Sequence, residues 1–98
     1  MALEIVWTTR ATIGYGKIVE YLETNFTERE VRNFIRHSHE FFQLLTQYPE
    51  MLERTERQKN VFRGPLNKHT ILTYRLKPQK GQIELINIRP ARKKPLKK

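Results

Sequence analysis

Thr27-Glu28-Arg29-Glu30-Val31-Arg32-Asn33-Phe34-Ile35-Arg36-His37-Ser38-His39-Glu40-Phe41-Phe42-Gln43-Leu44-Leu45-Thr46-Gln47-Tyr48-Pro49 is the stretch on which the fold turns. It opens with a capping box: the Thr27 hydroxyl can accept from the Glu30 amide, and the Glu30 carboxylate can reach back. Phe26, just before the cap, is placed to pack on Val31 as a hydrophobic staple. Val31, Phe34, Ile35, Ser38, Phe41, Phe42 and Leu45 then recur at helical spacing, and Pro49 closes the segment. Phe34, Phe41, Phe42 and Tyr48 are read as core.

Upstream, Leu3-Glu4-Ile5-Val6-Trp7-Thr8 alternates as a strand, with Leu3, Ile5 and Trp7 on one face. Thr8-Thr9 offers a cap for a helix over 10–23, where Ala11, Ile18, Tyr21 and Leu22 share a stripe. Gly14 and Gly16 weaken that helix by about 1 kcal/mol each relative to Ala, so it is expected to be uneven. The short link between the two helices predicts an antiparallel hairpin.

Downstream the period changes. Residues 59–63 read as a weak strand, 69–77 as a stronger one, and 82–89 as an Ile- and Leu-rich third. Pro78-Gln79-Lys80-Gly81 forms the turn between the last two. Trp7 and Tyr74 are read as strand-borne core. The expected class is α+β, in the order β-α-α-β-β-β: a helical hairpin packed on a small, mostly antiparallel sheet. Residues 1–90 make one domain, and 91–98 a basic, flexible tail.

The charge is divided between the two parts. Residues 1–56 carry six Lys and Arg against nine Glu, a balance of −3, whereas 57–98 carry thirteen against Glu84 alone, a balance of +12. A basic half joined to a mildly acidic one suggests a surface for a polyanion or an acidic protein. There is no cysteine, which excludes disulfides and thiolate metal sites. No apolar run approaches the roughly 20 residues of a membrane span, and the start lacks the regions of a signal peptide, so a cytoplasmic location is expected. There is no Asp, and Ser38 is the sole serine, which excludes a Ser-His-Asp triad. His37 and His39 fall on different sides of a helix at their i, i+2 spacing, so no metal site is expected. Gly14-Tyr15-Gly16 is too short for a phosphate loop.

Several stretches together resemble the RelE/ParE superfamily of bacterial toxin–antitoxin toxins. Ile5-Val6-Trp7-Thr8-Thr9-Arg10-Ala11 is similar to the family's opening strand and helix start. Ile18-Val19-Glu20-Tyr21-Leu22, followed by Asn25-Phe26-Thr27, is similar to its first helix and turn. Residues 41–49 resemble the end of the second helix, Lys68-His69-Thr70-Ile71-Leu72-Thr73-Tyr74-Arg75 the third strand, and 86–92 the last strand with its terminal Arg. The ParE-like, plasmid-stabilisation branch is the nearer match. The resemblance implies a toxin silenced by a cognate acidic antitoxin and needing no cofactor. ParE-like members poison DNA gyrase; RelE-like members cut mRNA on the ribosome without a metal.

Metal-free RNA cleavage needs a 2′-hydroxyl deprotonated, phosphorane charge stabilised and a leaving oxygen protonated. By the resemblance, Arg57, Lys59 and Arg63 stand as middle-strand cations and Arg92 as the terminal Arg. Ile71 occupies a position where a ribonuclease member carries Arg. After Arg92 come only Lys93-Lys94-Pro95-Leu96-Lys97-Lys98, with no Tyr, His or Glu. His69 and Glu84 are the remaining proton-transfer candidates, so a ribonuclease would rest on Arg63, His69 and Arg92. The target- or antitoxin-binding set is Arg57, Lys59, Arg63, Arg75, Arg89, Arg92 and Lys93, with the strand cations aligned on one face. The leading expectation is a toxin acting on gyrase or by another non-nucleolytic route. A ribosome-dependent mRNA endoribonuclease is the alternative, and a non-toxic nucleic-acid-binding module a further one.

Overall fold

The computed structural model describes residues 3–91. Its elements are β1 (Glu4–Trp7), α1 (Thr9–Asn25), α2 (Glu28–Gln47), β2 (Glu53–Arg54), β3 (Val61–Asn67), β4 (Thr70–Lys77), a 3-10 turn (Pro78–Lys80) and β5 (Gln82–Pro90). The strands form one sheet in the order β1-β5-β4-β3-β2. β1 runs parallel to β5, and the other neighbours are antiparallel. The expected α+β plan, a helical hairpin on a mostly antiparallel sheet, is the one found. The expected flexible tail falls outside the described residues.

Thr8 fixes the corner between strand and helix. Its hydroxyl caps α1 by accepting from the Ala11 amide at 3.1 Å and donates to the Leu85 carbonyl at 2.7 Å. One side chain thus satisfies an orphan helix donor and pins α1 to β5. α1 runs unbroken through both glycines, against the expectation of an uneven helix. Gly14 lies against β5 so closely that a Cβ there would collide with the Ile88 carbonyl oxygen. The absent side chain permits that contact between helix and strand.

α2 begins at the expected cap, where Thr27 Oγ1 accepts from the Glu30 amide at 3.2 Å. Its buried face is Val31, Phe34, Ser38, Phe42 and Leu45. The expected staple is replaced: Phe26 is 47% exposed, its ring 6.0 Å from that of Tyr21. Tyr48 is 60% exposed, not core, because α2 ends just before it. Trp7 is half in the core, edge-on to Tyr15 and Phe42 at 5.3 and 5.4 Å.

Three differences in the sheet matter for function. β2, a two-residue strand, was not anticipated. β3 starts at Val61, so Arg57 and Lys59 lie in the preceding loop instead of on a strand. His69 sits in the β3–β4 turn, where its amide donates to Asn67 Oδ1 at 2.8 Å. The core between helices and sheet is built from Phe62, Leu66, Leu72, Tyr74, Ile83, Leu85 and Ile88 below Ala11, Phe34, Phe42 and Leu45. Tyr74 is fully buried; its ring stacks on Phe62 and its hydroxyl donates to the Pro49 carbonyl at 2.6 Å. No helix of the described residues is long and apolar enough to cross a membrane.

Candidate functional site

The helices cover one face of the sheet, leaving the alternate residues of its strands on the other. Register assigns them to rows. Arg63 pairs with Thr73, and Thr73 with Asn87. In the next row Val61, Arg75, Glu84 and Val6 lie side by side. On the other side of the Arg63 row, Pro65, Ile71 and Arg89 line up. Arg63, Arg75 and Arg89 therefore come from three adjacent strands onto one open face.

A bulge makes that alignment possible. β4 pairs Tyr74 with Leu85 but Thr73 with Asn87, so Ile86 is the extra residue. The phase of β5 changes there: Ile83 and Leu85 point inward before the bulge and Ile88 after it, leaving Asn87 and Arg89 outward. Without the bulge Arg89 would lie on the helix side.

Among the described residues, the open face sets four cations, Arg63, Arg75, Lys77 and Arg89, against three carboxylates: Glu84, Glu53 opposite Arg63, and Glu4 at the β1 edge. Glu84 sits 3.4 Å from Lys77 Nζ, both partly buried. Arg75 is half-buried, and its Nε has no hydrogen-bond partner among the described residues. Buried guanidinium N–H groups ordinarily have partners, so this one carries a desolvation cost that no hydrogen bond offsets. Thr73 and Asn87, in the Arg63 row between the rows of Arg75 and Arg89, add a hydroxyl and an amide. Neither was singled out in the sequence; strand alternation alone could have found Thr73, but the bulge hides Asn87. Tyr74 belongs to the opposite face, and burial pushes its phenol up to about 12. Burial also raises the Tyr15 phenol, with the neighbouring Ser38 side chain acting the other way.

Of the remaining expected site residues, Arg57 and Lys59 are exposed in the β2–β3 loop. Arg92 and Lys93 lie outside the described residues. His69 is set apart from the open-face rows, at the end of the sheet, where its carbonyl accepts from the Ala91 amide at 2.8 Å.

A second feature occupies the helix side. Between α1, the first half of α2, the β3–β4 turn and the end of β5 lies a cleft of about 1200 Å³. Ile18, Leu22, Phe34 and Ile88 give it an apolar lining; Lys17 and Lys68 border it, against one carboxylate among the described residues, Glu30. His37 also lines it, its Nε2–H donating to the Leu66 carbonyl at 2.9 Å. A carbonyl can only accept, which fixes the proton on that nitrogen. His39 borders a different, shallow groove with Glu40 and Leu44, so the two histidines serve separate surfaces.

With this geometry, the chain was compared with known proteins. It is similar to a chain in the crystal structure of the toxin–antitoxin complex RelBE2 from Mycobacterium tuberculosis, with a TM-score of 0.62 and 14% identity over 92% of this chain and 99% of that one. The fold is RelE-like. No family model matches the sequence, and no curated protein does. A likeness at such low identity carries the backbone plan; the surface chemistry has to be argued from this chain's own residues.

Proposed function

We propose that this chain is the toxin of a type II toxin–antitoxin module of the plasmid-stabilisation kind, held silent in the cytoplasm by a co-encoded acidic antitoxin. The fold shared with a chain of a toxin–antitoxin complex supports the module. Its antitoxin would place an apolar stripe in the cleft and carboxylates on Lys17 and Lys68.

The observation that carries the choice of target is a mismatch on the open face. Arg63, Arg75 and Arg89 can neutralise phosphates or acidic side chains, but the one unengaged carboxylate in their rows is Glu53, opposite Arg63 on the exposed edge strand β2, and no His or Tyr of the described residues stands with it there. Glu84 is engaged by Lys77, Tyr74 faces the core, and His69 is at the turn. RNA cleavage needs an acid as well as a base beside the stabilised charge, and an exposed edge carboxylate supplies at most one of the two. We therefore favour DNA gyrase, or another non-nucleolytic target.

The three co-facial arginines favour a second reading, a RelE-like ribosome-dependent mRNA endoribonuclease in which Arg63, His69 and Arg92 act. A reconstituted bacterial translation reaction decides between the two. The first reading expects intact message together with loss of supercoiling in a gyrase assay. New 5′ ends at ribosomal A-site codons, abolished by Arg92→Ala, would establish the second. Loss of neither message nor supercoiling would remove both targets.

A further inference from the structure

The far end of α2 and the cleft are complementary surfaces of one chain. Leu44, Tyr48 and Met51 are 44, 60 and 40% exposed. They occupy successive turns: the Tyr48 amide donates to the Leu44 carbonyl at 2.9 Å and the Met51 amide to that of Tyr48 at 3.1 Å. Together they form an apolar patch on the order of a few hundred Å², the size that marks contact surfaces on soluble proteins. Its flanking charges lean acidic. Glu40 lines the groove beside Leu44, and Glu50 is engaged only loosely by Arg54, at 3.9 Å on the surface.

The cleft offers the converse. Tyr21 and Phe26 stand at its wall 59 and 47% exposed, above the apolar lining, and its border carries Lys17 and Lys68 against Glu30. Such a cleft suits an occupant that brings apolar side chains together with carboxylates. An apolar patch with carboxylates beside it is a suitable one. We propose that the free chain binds a second copy of itself, the Leu44–Tyr48–Met51 end of α2 of one molecule entering the cleft of the next.

Unlike surfaces meet in this contact, so each molecule has one of each to offer. The association is weak for two reasons. Its area falls below the roughly 800 Å² per partner of a standard interface, and a net charge of +9 makes copies repel at long range. The contact does not depend on the toxin reading. Should an antitoxin use the same cleft, it would compete with the second copy.

Sedimentation velocity of the full chain, over concentrations up to about 1 mM, tests the proposal. The weight-average sedimentation coefficient should rise with concentration. Tyr48→Lys removes the patch and Tyr21→Glu spoils the cleft; both side chains are largely exposed, and circular dichroism checks that each variant folds. Each variant alone should stay monomeric. An equimolar mixture should regain a pair, because one variant keeps the cleft and the other the patch. Monomer at every concentration would overturn the proposal and leave the cleft to another molecule. Association that survives either substitution, or variants that fail to complement, would overturn it in favour of a different contact.

Discussion

The covered and open faces of the sheet are made by alternate residues of the same strands, but they obey different rules. On β4, Thr70, Leu72 and Tyr74 are buried under the helices, whereas Ile71, Thr73, Arg75 and Lys77 face the other way half-exposed. The covered face holds the fold together by packing. The open face gathers charged side chains, Arg63, Arg75, Lys77 and Arg89 among Glu53 and Glu84, that packing does not constrain. Packing and surface chemistry are therefore separable one residue at a time along a single strand.

Neighbouring substitutions give the severest trial of that separation. Leu72 is fully buried, so Leu72→Ala should cost about 2–5 kcal/mol through lost transfer energy and the cavity left behind. Thr73→Ala, one residue on, should stay within about 0.5 kcal/mol. Urea unfolding of both variants measures the contrast. Equal losses would mean that the open face is also a packing surface.

Tyr74 extends the comparison to pH. Its folded value, about 12, lies above the ordinary 10.0 because burial penalises the phenolate. The folded state thus holds the proton more tightly than the unfolded one. The resulting stability is complete below pH 10 and is lost as the pH rises through about 12. A difference of that size is on the order of 3 kcal/mol. Alkaline unfolding should coincide with a rise in phenolate absorbance, and Tyr74→Phe should uncouple the two. Titration of Tyr74 while the protein stays folded would show the ring to be accessible from outside.

Gly14 marks the closest approach of a helix to the covered face. Gly14→Ala forces a methyl onto the Ile88 carbonyl oxygen, and a backbone atom cannot step aside as a side chain can. A loss of about 1–3 kcal/mol is expected in thermal unfolding. An unchanged midpoint would mean that α1 can lift from β5 without penalty.

Much of this division can be seen in the sequence, and where it cannot, the cause is local. α2 was readable because its cap at Thr27 and its apolar spacing agree. β3 was misplaced because Gly64-Pro65 looks like a break. Pro65 lies beyond the end of the two-residue β2, on a stretch of β3 with no outer neighbour, where a missing N–H costs no ladder bond. That displacement put Arg57 and Lys59 on a strand they do not join. Arg89 was expected beside Arg63 and Arg75, and it is there. Simple alternation from Ile83 would have sent it inward, and only the bulge at Ile86 turns it out. The cleft had no sequence signature, since its walls come from four separate segments.

On the open face itself, Arg63→Glu should leave unfolding within about 0.5 kcal/mol of the parent. Binding to heparin or single-stranded RNA should weaken, and the slope of log affinity against log salt should fall by about 1. Arg57→Glu, in the loop, is the control for bare charge. If it weakens binding as much as Arg63→Glu does, net charge and not the aligned face is what the polyanion feels.

The smallest effect falls on the outer side of α1. A Cβ at Gly16 would meet nothing within 4 Å, and the residue sits inside an unbroken helix. Gly16→Ala therefore adds no clash, while the unfolded chain loses some of glycine's freedom. The expected gain is about 0.5–1 kcal/mol, opposite in sign to the change at Gly14 although the two glycines belong to the same half-turn of helix. Because propensity contributes equally at both positions, the difference between the two variants isolates the contact with β5. A gain at Gly16 with no loss at Gly14 would show that helix propensity alone governs α1. A loss at Gly16 would instead mean that the outer side of α1 meets something, and a second molecule in the neighbouring cleft would then be the first partner to test by repeating the measurement at several protein concentrations.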